Sequence, residues 1–447
     1  MTKQPSMKSE SISRARFGCA IGAMHTAVAI PGTVPIADCG PGCADKQYIS
    51  LVFYNGFQGS GYGGGASLPC VNTTEKEVVF GGNDRLRELI QASTKVMKAD
   101  LFVVTTGCIS DIVGDDVASV VGDFQKKNVP VVYAETGGFR GNNFIGHEEV
   151  VKSIVDQYVG GYDGPKEQGL VNVWTELPYQ NTFWRGDLIE IKRILEGIGL
   201  KVNILFGHGS GGVEEWKTVP KAQFNLVLHT WLGLSVAKHL QAKYGQPFLH
   251  VPVIPVGSIG TTSFLREVGT YAGADPKKVE AFIKDEESKY YKYIEEFSEF
   301  YCEYFFGVPS KFAVVTDSAY ALAITKFAVN NLGLIPVKVI ITEDPPEEHR
   351  DAIREQFHRI ADDVSVEVEF IEDGFVIEEA LRNSERRPAI IFGTTWDRDV
   401  AKDIKAGIVE VSFPASYEVV LSRSYVGYRG ALSFIEKIFT VTISASA

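Results

Sequence analysis

Short apolar runs alternate with amphipathic stretches along most of this chain. LFVVTT (Leu101–Thr106) is apolar on both faces, which predicts a buried parallel strand. DDVASVVGDFQKK (Asp115–Lys127) repeats its apolar positions at helical spacing and opens on acidic residues that suit a helix N-terminus. VPVVYA (Val129–Ala134) predicts the next strand. After Gly160, Gly161 and Gly164 a second set begins, with strands at LVNVW (Leu170–Trp174), KVNILF (Lys201–Phe206), FNLVLHT (Phe224–Thr230) and PFLHV (Pro247–Val251). Helix patterns over Phe183–Gly197 and Leu234–Tyr244 separate them. A charged, aromatic-rich helix pattern follows from about Pro276 to Phe306, long enough to pack along a domain or bridge two. The third set has strands at KFAVVTD (Lys311–Asp317), IPVKVIIT (Ile335–Thr342), SVEVEF (Ser365–Phe370) and PAIIFGT (Pro388–Thr394). Its helix patterns are Ser318–Asn331, Pro346–Ala361 and, last, about Tyr428–Thr440.

Three strand–helix–strand sets predict an α/β protein of three doubly wound, Rossmann-like parallel-sheet domains, at 1–165, 166–307 and 308–447. Ligands of such sheets sit at the carboxyl ends of strands, so the loops after Thr106, Phe206, His229, Thr316 and Gly393 are the places to look.

Composition narrows the function. A hydrophobic content of 45% over 447 residues supports sizeable cores, and a net charge of −12 argues against a nucleic-acid partner. The apolar stretch after the polar N-terminus (Met1–Arg16) is broken by Gly18, Gly22, Pro31, Gly32 and Pro35. It suits neither a secretory signal nor a membrane span, so a cytoplasmic protein with no membrane partner is expected. Six cysteines are too sparse for a disulfide scaffold and in that compartment stay reduced, available as thiolate ligands.

Cys19 lies in a helix-entry segment, Cys39 and Cys43 form a C-x3-C in the Gly/Pro turn DCGPGC, and Cys108 follows strand Leu101–Thr106 directly. Cys19 and Cys43 could converge on Cys108 at the sheet edge, and glycines Gly40, Gly42 and Gly107 would let sulfide approach the backbone of an iron–sulfur site. Cys70 and Cys302 read as small buried hydrophobes.

Four segments resemble the nitrogenase component-1 superfamily, in its order and spacing: GCAIGAMHTAVAIPGTVPIADCGPGCA (Gly18–Ala44), EVVFGGNDRLRELI (Glu77–Ile90), TTGCISDIVGDDVASV (Thr105–Val120) and YVGYRGALSFIEKI (Tyr425–Ile438). The resemblance implies a subunit of an α2β2 heterotetramer in which each αβ pair shares an interfacial cluster, three cysteines from each chain. The β-type ligands carry over as Cys19, Cys43 and Cys108, with Cys39 a neighbouring thiol or alternative ligand. The α-type cofactor ligands do not carry over: NLVLHTW offers His229 where a cysteine is expected, and YVGYRG offers Val426 where a histidine is expected. The chain therefore looks like a β-type subunit, with His229 an ordinary hydrogen-bonded histidine. No catalytic residue is assigned to it. Gly138, in TGGFRG, stands where the family's nitrogenase β subunits often have a serine near the cluster, and the GPGC turn also departs from their pattern.

The implied function is electron relay. Electrons would come from an ATP-dependent [4Fe–4S] reductase homodimer, pass an [8Fe–7S] P-cluster (or a simpler [4Fe–4S] cluster) shared with α, and reach a catalytic iron–sulfur cofactor in α. The departures from nitrogenase favour reductive C–S cleavage, as in the methylthio-alkane reductase group. Dinitrogen reduction, dark-operative tetrapyrrole reduction and a non-catalytic cofactor-assembly scaffold are the alternatives. Among the remaining features, GFQGSGYGGGASLP (Gly56–Pro69) reads as a flexible loop beside the cluster or partner. FGHGSGG (Phe206–Gly212) looks like a phosphate loop but lacks a following Lys-Ser/Thr. Glu343, Asp344, Glu347, Glu348 and His349 read as a solvated helix start.

Overall fold

The computed structural model describes residues 19–65, 67–303 and 309–446. The N-terminal segment Met1–Gly18 and the end of the aromatic run at 304–308 lie outside the described residues, as do the side chains of Cys19 and Cys302.

Three sheets form, each entirely parallel. The first has order β1–β2–β3, with β1 Thr33–Asp38, β2 Leu101–Thr106 and β3 Val131–Ala134. Its helices are α1 (Cys19–Ala29), α2 (Pro41–Phe53), α3 (Glu75–Phe80), α4 (Asn83–Val96), α5 (Cys108–Val113), α6 (Val117–Gln125) and α7 (Asn143–Ile154). All six residues of β1 and of β2 are buried, as strands covered on both faces must be.

The second sheet has order β5–β4–β6–β7, with β4 Glu167–Trp174, β5 Lys201–Asn203, β6 Ala222–Val227 and β7 Phe248–His250. Helices α8 (Trp184–Gly197), α9 (Leu234–Tyr244), α10 (Gly257–Ala272) and α11 (Pro276–Glu303) belong to this stretch. The third sheet has order β10–β9–β8–β11–β12, with β8 Lys311–Thr316, β9 Ile335–Ile341, β10 Val368–Phe370, β11 Ile390–Gly393 and β12 Gly407–Glu410. It carries α12 (Ser318–Asn330), α13 (Glu347–Phe357), α14 (Gly374–Arg382), α15 (Arg398–Asp403) and α16 (Gly427–Ser446).

The expected α/β architecture of three parallel sheets is therefore what forms. One continuous apolar core joins them, drawing Val103 from the first sheet, Val171 from the second and Phe312 from the third. Helix α16 packs back onto α8, α10 and α11. The aromatic run in α11 serves that contact: the rings of Phe297 and Tyr301 lie 4.9 and 4.8 Å from Phe439. Among the described residues no helix is long and apolar enough to cross a membrane.

Candidate cluster site

Parallel pairing of β1 with β2 sets Asp38 beside Thr106, so both strands end at one edge. The Gly107 N–H continues the ladder to the Asp38 carbonyl at 2.9 Å. Cys39 is thus the first residue past β1, and Cys108 the second past β2 and the first of α5. Cys43 corrects an expectation. It lies in the first turn of α2, not in a Gly/Pro turn, because Gly40 is the N-cap and Pro41, whose missing N–H costs nothing there, begins the helix.

A third segment joins this edge. Residues 69–73 run parallel to β1, with the Ala37 N–H donating to Pro69 O at 2.8 Å, Val71 N–H to Ala37 O at 2.9 Å and Thr73 N–H to Cys39 O at 3.3 Å. This brings Cys70 Sγ to 3.8 Å from Cys39 Sγ. Cys70 is therefore not the isolated structural hydrophobe expected. Its sulfur also points at the Cys39 carbonyl (3.4 Å) and accepts the Asn72 N–H (3.4 Å). Ile21 and Met24 of α1 pack in one small apolar cluster with Ala37, Cys39, Cys43, Leu68 and Cys70. That contact holds the N-terminus of α1, where Cys19 sits, against the same edge.

The thiols differ in acidity. Cys39 is buried, and the neighbouring thiols of Cys43 and Cys70 together with burial push its pKa well up. Cys43 falls to about 7, chiefly through the Cys39 hydrogen bond, helped by Lys46 and opposed by burial. Cys70 is lowered for the same first reason. Cys108 is exposed, and its sulfur accepts the Gly138 N–H at 3.2 Å. Next to them Asp38 is buried with neither carboxylate oxygen hydrogen-bonded, and burial, then Asp115 and Asp111, raises its pKa to about 7.

These sulfurs are the donor class that iron–sulfur clusters require. Among the described residues no three Cys, His, Asp or Glu side chains already surround a common metal position, Cys19 being outside that set. An apolar surface borders the edge. Phe80 at the end of α3 is 82% exposed, Ile112 of α5 69% and Phe139 73%, and α3 packs against α5. Ile112 and Phe139 line one shallow pocket with Asp111, Asp115 and Arg140.

The other candidates resolve differently. His229 is buried and its Nδ1 lies 3.3 and 3.1 Å from the N–H groups of Trp231 and Leu232, while burial lowers its pKa to about 4. It is the hydrogen-bonded strand-end histidine expected, and Val426 is buried beside Tyr425. In FGHGSGG the Glu215 carboxylate accepts the Gly211 N–H (2.7 Å) and the Ser210 hydroxyl (2.9 Å), so the chain fills that cradle with its own anion. Gly56–Pro69 packs partly against α8, Trp184 Nε1 donating to Gln58 at 3.1 Å and Arg185 to Gly59 O at 3.0 Å. Glu343 is not solvated: it is buried and accepts from Trp231 Nε1 (3.1 Å), the Ser318 N–H (2.6 Å) and the Ser318 hydroxyl.

Sequence reasoning also missed a buried acid pair. Asp187 of α8 accepts from Tyr320 OH of α12, from Ser424 Oγ (2.5 Å) and from the Tyr425 N–H (3.2 Å). Burial raises its pKa to about 6, and burial with Asp187 nearby raises Glu176 well above the carboxylate range. Only a Thr-Glu pair after a strand hinted at it, and that signal has no specificity.

Parallel sheets with thiols gathered past adjacent strand ends are the features of an α/β redox protein. The family match is specific: residues 19–443 match the nitrogenase component 1 type oxidoreductases, and the chain belongs to that family. It is similar to a component of the light-independent protochlorophyllide reductase of Leptolyngbya boryana, 28% identical over 378 residues, covering 80% of this chain and 70% of that protein. The equivalent component from Angiopteris evecta is 26% identical over 387 residues, again covering 80% and 70%. Nitrogenase Cp1, solved at pH 6.5, shares the fold with a TM-score of 0.80 at 20% identity, over 99% of this chain and 95% of that one.

Proposed function

We propose that this chain is the β-type subunit of a nitrogenase-like two-component reductase and that it supplies one half of a shared iron–sulfur site through Cys19, Cys43 and Cys108. The observation that carries the reading is the gathering of Cys43 and Cys108 past β1 and β2, with the start of α1 held against the same edge. Cys43 favours ligation because its thiolate forms near neutral pH, whereas the pKa of buried Cys39 is pushed well up and it keeps its proton. When bound, a cluster there would supply a one-electron station. The chain's own part is to hold the sulfurs, to offer the Gly138 amide to Cys108, and to exclude water with the Ile21–Met24 face of α1. The apolar surface of Phe80, Ile112 and Phe139 beside Cys108 supports a partner seated over the site, a homologous α subunit in an α2β2 assembly served by an ATP-dependent [4Fe–4S] reductase.

Two substrate readings have an observation behind them. The relatives named above are tetrapyrrole reductase components by name, which favours reduction of a planar tetrapyrrole. The departures at Gly138 and GPGC favour C–S cleavage of small methylthio-alkanes, a reading that none of those relatives shares. The test is iron quantification with EPR on the copurified complex. About eight irons per αβ interface, beyond any cofactor in the partner, support a shared P-cluster and about four a simpler cluster. A chain that copurifies with neither iron nor a homologous partner overturns the proposal. Cys108→Ala is expected to lose the interfacial iron, and full retention overturns its assignment.

A further inference from the structure

Cys39 and Cys70 are left over once Cys19, Cys43 and Cys108 are assigned, yet their Sγ atoms lie 3.8 Å apart, brought together from positions 31 residues apart. We propose that Cys39 and Cys70 form an oxidative modification site, a reversible dithiol/disulfide couple set beside the ligand loop. The inference rests on the proposed function only in taking Cys39 and Cys70 as the thiols free of iron.

The backbone prepares the pair. The ladder from Pro69 to Thr73 along β1 holds both residues on adjacent parallel segments. On the Cys39 side nothing can give: a Cβ placed on Gly107 would come within 2.5 Å of Cys39 Cβ, so that carbon is pressed against the backbone of the neighbouring strand end. On the other side Cys70 is half-buried in a segment that is neither helix nor regular strand. Closing the sulfurs from 3.8 Å to a bond of about 2.05 Å is thus a side-chain rotation and a small shift at Cys70. Cys43, the competing partner of Cys39, is held in the first turn of α2, its N–H donating to Gly40 O at 3.3 Å.

The chemistry balances with a low-molecular-weight disulfide such as oxidised glutathione. One thiolate of the pair attacks the glutathione disulfide and releases one glutathione thiol. The second then attacks the mixed disulfide, forms the Cys39–Cys70 bond and releases the other. The pair gives up two electrons and two protons, and the oxidant takes them as two thiols. The product would close a loop from Cys39 to Cys70 that contains α2 and the glycine-rich stretch after it.

The test is a disulfide map of the full chain, purified as it is made and incubated with excess oxidised glutathione before alkylation and digestion. Trypsin leaves Cys19, Cys39 and Cys43 on the peptide spanning 17–46 and Cys70 on that spanning 47–76, so a cross-link between the two peptides is read by mass and located by fragmentation. The expected result is a Cys39–Cys70 link, loss of two alkylatable thiols and full reversal by dithiothreitol. A Cys39–Cys43 link, a Cys43–Cys70 link, a glutathione adduct that goes no further, or two unmodified thiols each overturn the proposal. Cys108→Ser is expected to keep the disulfide and lose iron, and Cys70→Ser to keep iron and lose the disulfide. A wild-type chain that forms the disulfide but, before oxidation, copurifies with neither iron nor a homologous partner would sink the cluster reading and leave this one standing.

Discussion

The Gly138 amide donates to Cys108 Sγ at 3.2 Å, and a Cβ on Gly138 would stand only 2.7 Å from that sulfur. The glycine thus fixes where the sulfur can be. Cys108 is exposed and can swing its sulfur away on one side-chain torsion, so Gly138→Val should change stability by less than about 1 kcal/mol. If Cys108 ligates the proposed cluster, the displaced sulfur would no longer reach its iron. We expect iron per chain to fall at least several-fold with an unchanged melting temperature, and an unchanged iron content would remove Gly138 from the site.

Gly107 presents the opposite case. A Cβ there meets Cys39 Cβ at 2.5 Å and Cys39 Cα at 3.3 Å, atoms fixed by the backbone, so no rotation relieves the contact. Gly107→Ala should force the ends of β1 and β2 apart and destabilise the fold by about 1–3 kcal/mol, measured as a shift in urea midpoint at constant slope.

Tyr320 and Asp187 tie α12 to α8 and, through Ser424, to the segment before α16. Tyr320→Phe removes a donor from a fully buried carboxyl group that keeps two others. The expected cost is about 1–3 kcal/mol in equilibrium unfolding, and a change within about 0.5 kcal/mol would show that Ser424 and Tyr425 suffice.

The period and length of the apolar runs foretold the strands of all three sheets save β1 and β12. LFVVTT is β2 residue for residue, and Leu234–Tyr244 is α9. Buried parallel strands have few ways to read otherwise. β1 escaped because Pro35 sits inside it, and β12 because a glycine opens its short apolar run and Glu410 closes it. Helices α7, α10 and α14 escaped because their apolar positions are interleaved with glycine, threonine and charged residues. At the site, C-x3-C and the strand-end Cys108 were legible from spacing alone. Cys70 was not, since its partner Cys39 is set by a ladder between segments 31 residues apart, and Glu343 was misjudged because a buried acid and a solvated one look alike in sequence.

Phe80, Ile112 and Phe139 cost the isolated chain little to replace, because they face outward. Phe80→Asp should leave the melting temperature unchanged. If a partner covers this face, burying that carboxylate in an apolar contact would weaken association at least tenfold. Coexpression and copurification with the homologous subunit measures it, and undiminished recovery would place the partner elsewhere.

His25 provides the pH test. It is buried, with Nε2 2.6 Å from Ser50 Oγ and Nδ1 3.2 Å from Gln180 Nε2, and burial lowers its pKa to about 3. In the unfolded chain the imidazole takes a proton near pH 6.5, and in the folded chain it does not until about pH 3. Between those values the unfolded state binds the extra proton, so this group costs the fold stability as pH falls through that window. Buried Asp187, whose pKa is raised, works in the opposite sense, which is why the total acid profile does not isolate the histidine. A difference does. Whatever His25→Gln costs at pH 7, it should lose about 2 kcal/mol less than the wild type on going from pH 7 to pH 5, because it has no imidazole to charge on unfolding. Urea unfolding of both proteins at the two pH values reads the difference, and parallel losses would mean that His25 titrates in the folded chain.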